Sequence, residues 1–469
     1  MATKRGARRK RQATEKKARP NLNARLSLLS SNQLVQIRSA VLMVLWQTGV
    51  RIDDLETRKM LIATGDCKEG TDGFIHFNAD IIERSLETTP KEVRLYDRSG
   101  NMKVHTSGRS LGFAPGLNCP NILDHITGEI RPFLLDDVRN VGKLCQKLEM
   151  IDVAASLGYD SEASADVEAP QTLRALIEQT EKPVLFIGHD EVEVEVMWGM
   201  LAQEVGGWDN LAEKPCGIDL TGPLSPLRLS DETCRRVRMA ARYNIPTACY
   251  PAIFPGMSSP VTMAGTIVQA CVESIAGIVI NQLERPGAPI LTGSSVLPMD
   301  MRQADLAYGS PEYALANAAA VQFLSYMEIP AWNGGGCSDA HSVDQQAASE
   351  IGANMLSAAL SGATFIKNLG MLSGGKTGSL EMLLLGHEMA GWVSRYGANI
   401  TVDANTIAAE VIQQSATDNT FIQSSHTQDN YLAEMWMPPL FQRNDKDAWL
   451  EAGAKDMHQR CLDTLNDLL

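Results

Sequence analysis

The feature that most restricts this chain is a rhythm that begins at Leu111. A short apolar or small-residue run, often introduced by proline, ends in a Gly, Ser, Asp or Asn loop and leads into an amphipathic stretch. Eight such starts follow one another: "LGFAPG" at Leu111, "MIDVAAS" at Met150, "PVLFIGHD" at Pro183, "PCGIDLTG" at Pro215, "IPTACYPAI" at Ile245, "APILTGSS" at Ala288, "IPAWNGGG" at Ile329 and "GATFIKNLG" at Gly362. The segments between them, such as "DEVEVEVMWGMLAQEVGG" and "SPEYALANAAAVQFLSYME", are long enough for crossover helices. Eight strand-then-helix units over roughly 270 residues predict an α/β chain folded as a (β/α)8 TIM barrel rather than an open doubly wound sheet. The second strand is the most weakly marked.

What flanks the rhythm reads as helix. "SSNQLVQIRSAVLMVLWQTGVRI" has apolar positions at helical spacing behind a serine-rich start that can cap it, and "NADIIERSLETTP" predicts another helix. The expected organisation is a basic tail over 1–30, an N-terminal helical extension over 31–110, the barrel over 111–400 and C-terminal helices over 401–469 packed on its outside. "TIVQACVESIAGIVINQL", Thr266 to Leu283, is apolar but carries Gln, Glu and Asn, so a buried helix is expected there and no membrane span.

Charge and cysteine narrow the function classes. The first twenty residues hold nine Lys or Arg against one Glu, with no apolar run to make a signal peptide and no interleaved aromatic residue to suggest nucleic-acid binding. The whole chain nevertheless carries a net charge of -14, so the remainder is strongly acidic. Nine scattered cysteines without a C-x-x-C pair point to a reducing, cytoplasmic setting and away from a structural zinc site. The size admits a homo-oligomer.

Barrel chemistry belongs to the loops after the strands. After strand seven stands "WNGGGCSDAHSVDQQ": glycines 334 to 336 permit positive φ and close backbone approach, Ser338 or Asp339 can cap the next helix, and His341 near its first turn can donate to an anion. Cys337 lacks the His and Asn partners of a thiol nucleophile, Lys367 lacks flanking support for a Schiff base, and "LSGGKTGS" with Lys376 and Thr377 lacks phosphate-loop spacing. The remaining strand ends offer hydroxyls, amides and Met, a mouth suited to a bulky ligand or to a partner that brings its own reactive centre.

With these residues in view, the chain resembles the trimethylamine methyltransferase family. The resemblance is carried by "VRLYDRSG", "FAPGLNCPNILDHITGEIRP", "LTGPLSPL", "DLAYGSPEYAL", "GGCSDAHSVDQQA", "KTGSLEM" and "HTQDNYLAEMWMPPLFQR", and covers nearly everything after about residue 30. It implies a barrel that moves a methyl group from an amine to the cobalt of cob(I)alamin on a separate corrinoid protein, with no metal in this chain. The archaeal founders carry pyrrolysine close to the match of "LAYGSPE", where this chain has Ala307 and Tyr308. A neutral amine needs its lone pair engaged before it can leave from carbon, whereas a quaternary ammonium is already activated. The pyrrolysine-lacking branch therefore implies a quaternary amine donor, glycine betaine first, with proline betaine, carnitine, butyrobetaine or a sulfonium such as dimethylsulfoniopropionate as alternatives. A betaine-binding barrel without activity is the reading from another class.

A quaternary ammonium has no N–H, so aromatic faces should hold it: Tyr96 and Trp332 first, then Tyr250, Phe254, Tyr308 and Phe365. The carboxylate of a betaine should be met by His341, by backbone amides of Gly335 and Gly336, and by His189 or Asn368.

Overall fold

The computed structural model of the protein describes residues 24–106, 111–293, 295–418 and 420–469; of the basic tail expected over 1–30, residues 1–23 lie outside them. Seven parallel strands lie side by side in the order Gly112–Pro115, Phe365–Leu369, Ala331–Gly334, Ile290–Gly293, Thr247–Cys249, Gly217–Thr221 and Val184–Phe186. The gap between the first and last is spanned by the weak second start. Asp152 and Val153 donate their backbone N–H groups to the Phe113 carbonyl, Ala154 bridges Val184, and the Leu185 N–H reaches the Ala154 carbonyl at 2.8 Å. One ladder position there is taken by a side chain, because the Phe113 N–H donates to the Asp152 carboxylate at 2.9 Å. That substitution is why the segment closes the barrel without forming a regular strand.

Strand alternation divides the core in two. Ala114, Leu220, Ala248, Leu291, Trp332 and Phe365 face one apolar cluster inside the barrel, while Phe113, Phe186 and Ile366 pack outward against the helices. The expected buried helix is Met263–Glu284; it is long and apolar enough to cross a membrane, yet 78% of its apolar window is covered by the rest of the molecule. Within it Glu273 is fully buried and accepts from the Ser225 hydroxyl, the Leu227 N–H and the Gln269 amide, which ties the loop after Gly217–Thr221 to the helix.

The N-terminal segment differs from the helical extension the sequence suggests. Helices Ser31–Gln47, Leu55–Ala63 and Ala79–Thr88 alternate with strands Val50–Ile52, Cys67–Glu69 and Phe74–Phe77. Strands of three or four residues carry too little periodicity to show beside helices of this length. A hairpin, Arg94–Tyr96 with Met102–His105, then closes the N-terminal end of the barrel, burying Val93, Leu95 and Val104 in the inner cluster. At the other end of the chain, Leu380–Tyr396 and Met457–Leu468 pack outside the barrel through Cys461 and Leu465.

Candidate functional site

The strand that begins at Phe365 sets the chemistry of the barrel interior. Alternation turns Phe365 and Lys367 inward, and Lys367 ends up only 7% exposed. Its ammonium donates to the Tyr250 hydroxyl at 2.6 Å and lies 4.5 Å from the Tyr250 ring centre and 4.9 Å from that of Trp332. Tyr250 meets Trp332 edge to face with centroids 4.8 Å apart, and Trp332 stacks towards Phe365 at 6.2 Å. Gly293 makes room for the indole: a Cβ there would stand 2.0 Å from the Trp332 ring. The Trp332 indole nitrogen is buried without a hydrogen-bond partner among the described residues.

Above this cluster the loop after Ala331–Gly334 is held by its own polar residues. The Asp339 carboxylate accepts the N–H groups of Tyr308 and Gly309 at 2.8 and 2.7 Å, and the Asn354 amide donates to the Tyr308 carbonyl at 2.8 Å. Glu350 receives the Ser338 hydroxyl at 2.6 Å and the Asp339 N–H at 2.9 Å. Tyr308 is thereby fixed beside Tyr313, ring centres 5.2 Å apart, and the Tyr313 hydroxyl faces Asn368 across Gly334. Burial pushes both phenols and the Cys337 thiol well above their ordinary values, so none of the three is poised to lose a proton near neutral pH. For Cys337 this removes the condition a thiolate nucleophile needs.

Several expected roles change in the structure. Gly334, Gly335 and Gly336 are absent from the residues with positive φ, and their close approaches are to protein: to Tyr313, to Met355 and Ile366, and to the Leu369 backbone. The amides of Gly335 and Gly336 both point to the Lys367 carbonyl, at 3.1 and 3.3 Å, and so are not free for a carboxylate. The helix cap is Asp344, not Ser338 or Asp339, since its side chain accepts from Gln346 and Ala347. The left-handed residue at the strand end is Asn368, φ 74°, a conformation Asn tolerates better than most. His341 is exposed at the rim, 2.9 Å from the Ser373 hydroxyl. Phe254 sits partly buried in the loop after Thr247–Cys249, its N–H bonded to Ser258. Tyr96 lies at the far end, its N–H on the carbonyl of Pro215, ahead of the Gly217–Thr221 strand.

A cavity of about 500 Å³ opens beside the mouth, between the Glu168–Ile177 helix and the loops after the first strands. It shares Leu117, Leu185 and Ile187 with the apolar cluster that holds Tyr250, Trp332 and Phe365. His189 stands on its wall, 3.1 Å from Glu193 and 3.8 Å from Glu168, whose carboxyl is raised by burial.

The family described as trimethylamine methyltransferase matches residues 2–469. The chain belongs to that family. It is 28% identical over 95% of its length to a trimethylamine methyltransferase of Desulfitobacterium hafniense, covering 89% of that protein. It is 26% identical over 90% of its length to a glycine betaine methyltransferase of another strain of that species, covering 88% of it. The crystal structure of the Methanosarcina barkeri monomethylamine methyltransferase superposes with a TM-score of 0.52 at 13% identity, over 95% of this chain and 90% of the other, which supports the barrel fold.

This trimethylamine methyltransferase family member thus gathers Trp332, Tyr250, Phe365, Tyr308 and Asn368 around the barrel's inner and upper layers, with His189 on the adjoining cavity. His341 remains at the rim and Tyr96 at the floor. Sequence reasoning missed Tyr313 and weighed Lys367 only as a Schiff-base amine. The alternation of Phe365, Ile366 and Lys367 was the available signal.

Proposed function

We propose that this methyltransferase moves a methyl group from a quaternary amine to the cobalt of a corrinoid carried by a separate protein, glycine betaine being the first donor to test. The observation that carries this is the family match along the whole chain, which includes a glycine betaine methyltransferase among the relatives. When presented at the mouth, the corrinoid supplies the nucleophilic cobalt that accepts the methyl group.

The chain's own residues bind, orient and exclude water. Trp332, Phe365 and Tyr250 line an apolar interior that shields a bound donor from solvent, and Tyr308, anchored above it by Asp339 and Asn354, stands nearer the mouth, where the N–CH3 group is presented. A rim suited to a large apolar partner surface is present: Leu224, Met257, Val261 and Met301 are more than half exposed on loops that follow three successive strands. Ala307 and Tyr308 offer no electrophile that could form a bond to an amine lone pair, which favours a donor that is already quaternary.

The test is anoxic incubation of the protein with cob(I)alamin, followed spectroscopically, with glycine betaine and trimethylamine in parallel. Methylation of cobalt by glycine betaine, with dimethylglycine formed in equal amount, is the expected result. Turnover of trimethylamine alone would overturn the activation argument. Transfer from another betaine or a sulfonium, with none from glycine betaine, would keep the reaction and replace the donor.

A further inference from the structure

Building on the methyltransferase reading above, we propose that Lys367 is the anion receptor of the substrate site, a buried ammonium that selects methyl donors bearing a carboxylate over donors that are simple cations.

The argument begins with a contrast between two buried cations. Arg236, 2% exposed, is served on every side: Asp219 at 2.6 Å, Glu232 at 2.9 Å, and the carbonyls of Gly188 and Leu220. Lys367 is nearly as buried, but its ammonium has one neutral hydroxyl and two ring faces, and forms no ion pair with a carboxylate among the described residues. An ammonium has three donors, and among the described residues one of them meets an oxygen acceptor. Burying an ammonium without a counter-ion is costly, and a carboxylate that arrives from elsewhere would offset that cost. A ligand carboxylate entering the barrel would complete the pair.

The ring geometry adds a second constraint. The faces of Tyr250 and Trp332 are already turned to the Lys367 ammonium. A quaternary ammonium seated on those same faces would stand against a like charge in a water-poor interior. The cationic end of the donor therefore lies away from Lys367, towards Tyr308 and the mouth, and its anionic end lies on Lys367. This polarity also turns the methyl groups outward, to where a separate acceptor can reach them. A donor such as choline or tetramethylammonium brings the repulsion without the compensating pair, whereas a zwitterion brings both. The assignment replaces the exposed His341 and the occupied amides of Gly335 and Gly336 as receptors of the carboxylate.

Calorimetric binding on the full chain tests it with glycine betaine, proline betaine, carnitine and butyrobetaine beside choline and tetramethylammonium. The wild type is compared with Lys367→Met and Lys367→Arg. Met is apolar and of similar length, so a folded variant is expected, and thermal melting checks this. Expected is a carboxylate donor bound by the wild type, weakened about tenfold or more in Lys367→Met, partly retained in Lys367→Arg, with tetramethylammonium unchanged or improved in Lys367→Met. Equal binding of that donor by wild type and Lys367→Met would overturn the proposal. So would a wild type that binds tetramethylammonium at least as tightly as every carboxylate donor, a result that needs no variant. The cob(I)alamin assay keeps the two readings apart: turnover of choline or tetramethylammonium sinks the anion receptor and leaves the methyltransferase, whereas Lys367-dependent binding without methyl transfer from any donor does the reverse.

Discussion

The two ends of the barrel use the same kinds of residue to opposite purposes. At the floor, Tyr96 and its hairpin neighbours meet the strands through backbone bonds, and Val93, Leu95 and Val104 fill the interior. At the mouth, Trp332, Tyr250 and Lys367 are brought together by alternation and leave unpaired polar atoms, the indole nitrogen of Trp332 among them. A finished floor and an unfinished mouth are what a site at the C-terminal ends of parallel strands requires. Aromatic character alone does not separate the two.

The sharpest way to break this comparison is to truncate one aromatic at each end. Trp332→Ala removes a fully buried indole and should cost about 3–5 kcal/mol of stability, with methyl transfer lowered more than about a hundredfold because the donor is no longer held in line. Tyr96→Ala should lower the melting temperature by a few degrees while kcat/KM stays within about twofold of wild type. Chemical denaturation and steady-state kinetics on both variants measure this. A collapse of kcat/KM in Tyr96→Ala, at temperatures where the variant is folded, would make the floor part of the site.

A change of comparable size is expected in the wall that joins the two ends. Asp219, fully buried, holds Arg236, and Arg236 in turn binds the Gly188 and Leu220 carbonyls where two strands finish. Asp219→Ala leaves that guanidinium without its main partner and should cost about 3–5 kcal/mol. Asp219→Ala and Arg236→Met combined should cost less than Asp219→Ala alone, which a double-mutant cycle by denaturant titration would show.

How much of this was legible in the sequence follows from the physics of each element. The strand starts could be read because small apolar runs between Gly and Pro punctuate long amphipathic helices. The closing segment at Met150 was weak because an Asp152 side chain replaces a ladder bond, which a pattern of apolar residues does not reveal. Trp332 could be placed beside the barrel interior because it lies in a strand start that runs directly into the glycine loop. Tyr96, expected among the aromatics that hold the ammonium, lies at the floor, because a hairpin plug contributes aromatics with no strand number attached to them. The glycines at 334 to 336 read as ligand contacts but meet their own chain instead, since close approach in a sequence does not say to what. Lys367 was visible as a residue, and its lack of a counter-ion became visible only when its neighbours were placed.

Acid should act on the two ends with opposite sign. Burial alone would raise the Asp97 carboxyl at the floor, but the Asn101 backbone and amide and the Lys103 ammonium together hold it below its ordinary 3.8. Its stabilisation is present above that value and lost as pH falls through the lower folded value. At the mouth, burial raises Asp339 above 3.8 in spite of the N–H groups of Gly309 and Tyr308. Its contribution is fully present below 3.8 and is lost as pH rises through the higher folded value. The stability difference between wild type and Asp97→Asn should therefore shrink on acidification, and that between wild type and Asp339→Asn should shift in favour of wild type. Denaturation at a series of pH values reads both slopes, and parallel slopes would refute the contrast.

The smallest effect is expected at His341. Its ring is exposed and bonded to Ser373 at the rim, outside the cluster of Trp332, Tyr250 and Lys367. An exposed imidazole in water gains little from a carboxylate it shares with solvent, because screening removes most of the attraction. His341→Ala should therefore raise the KM for the donor less than about threefold and leave stability within about 0.5 kcal/mol. If it raised KM more than about tenfold with kcat intact, the carboxylate would be read at the rim after all. The donor would then lie reversed, with its methyl groups turned inward against Lys367, an arrangement in which like charges meet and the acceptor cannot reach the carbon it must take.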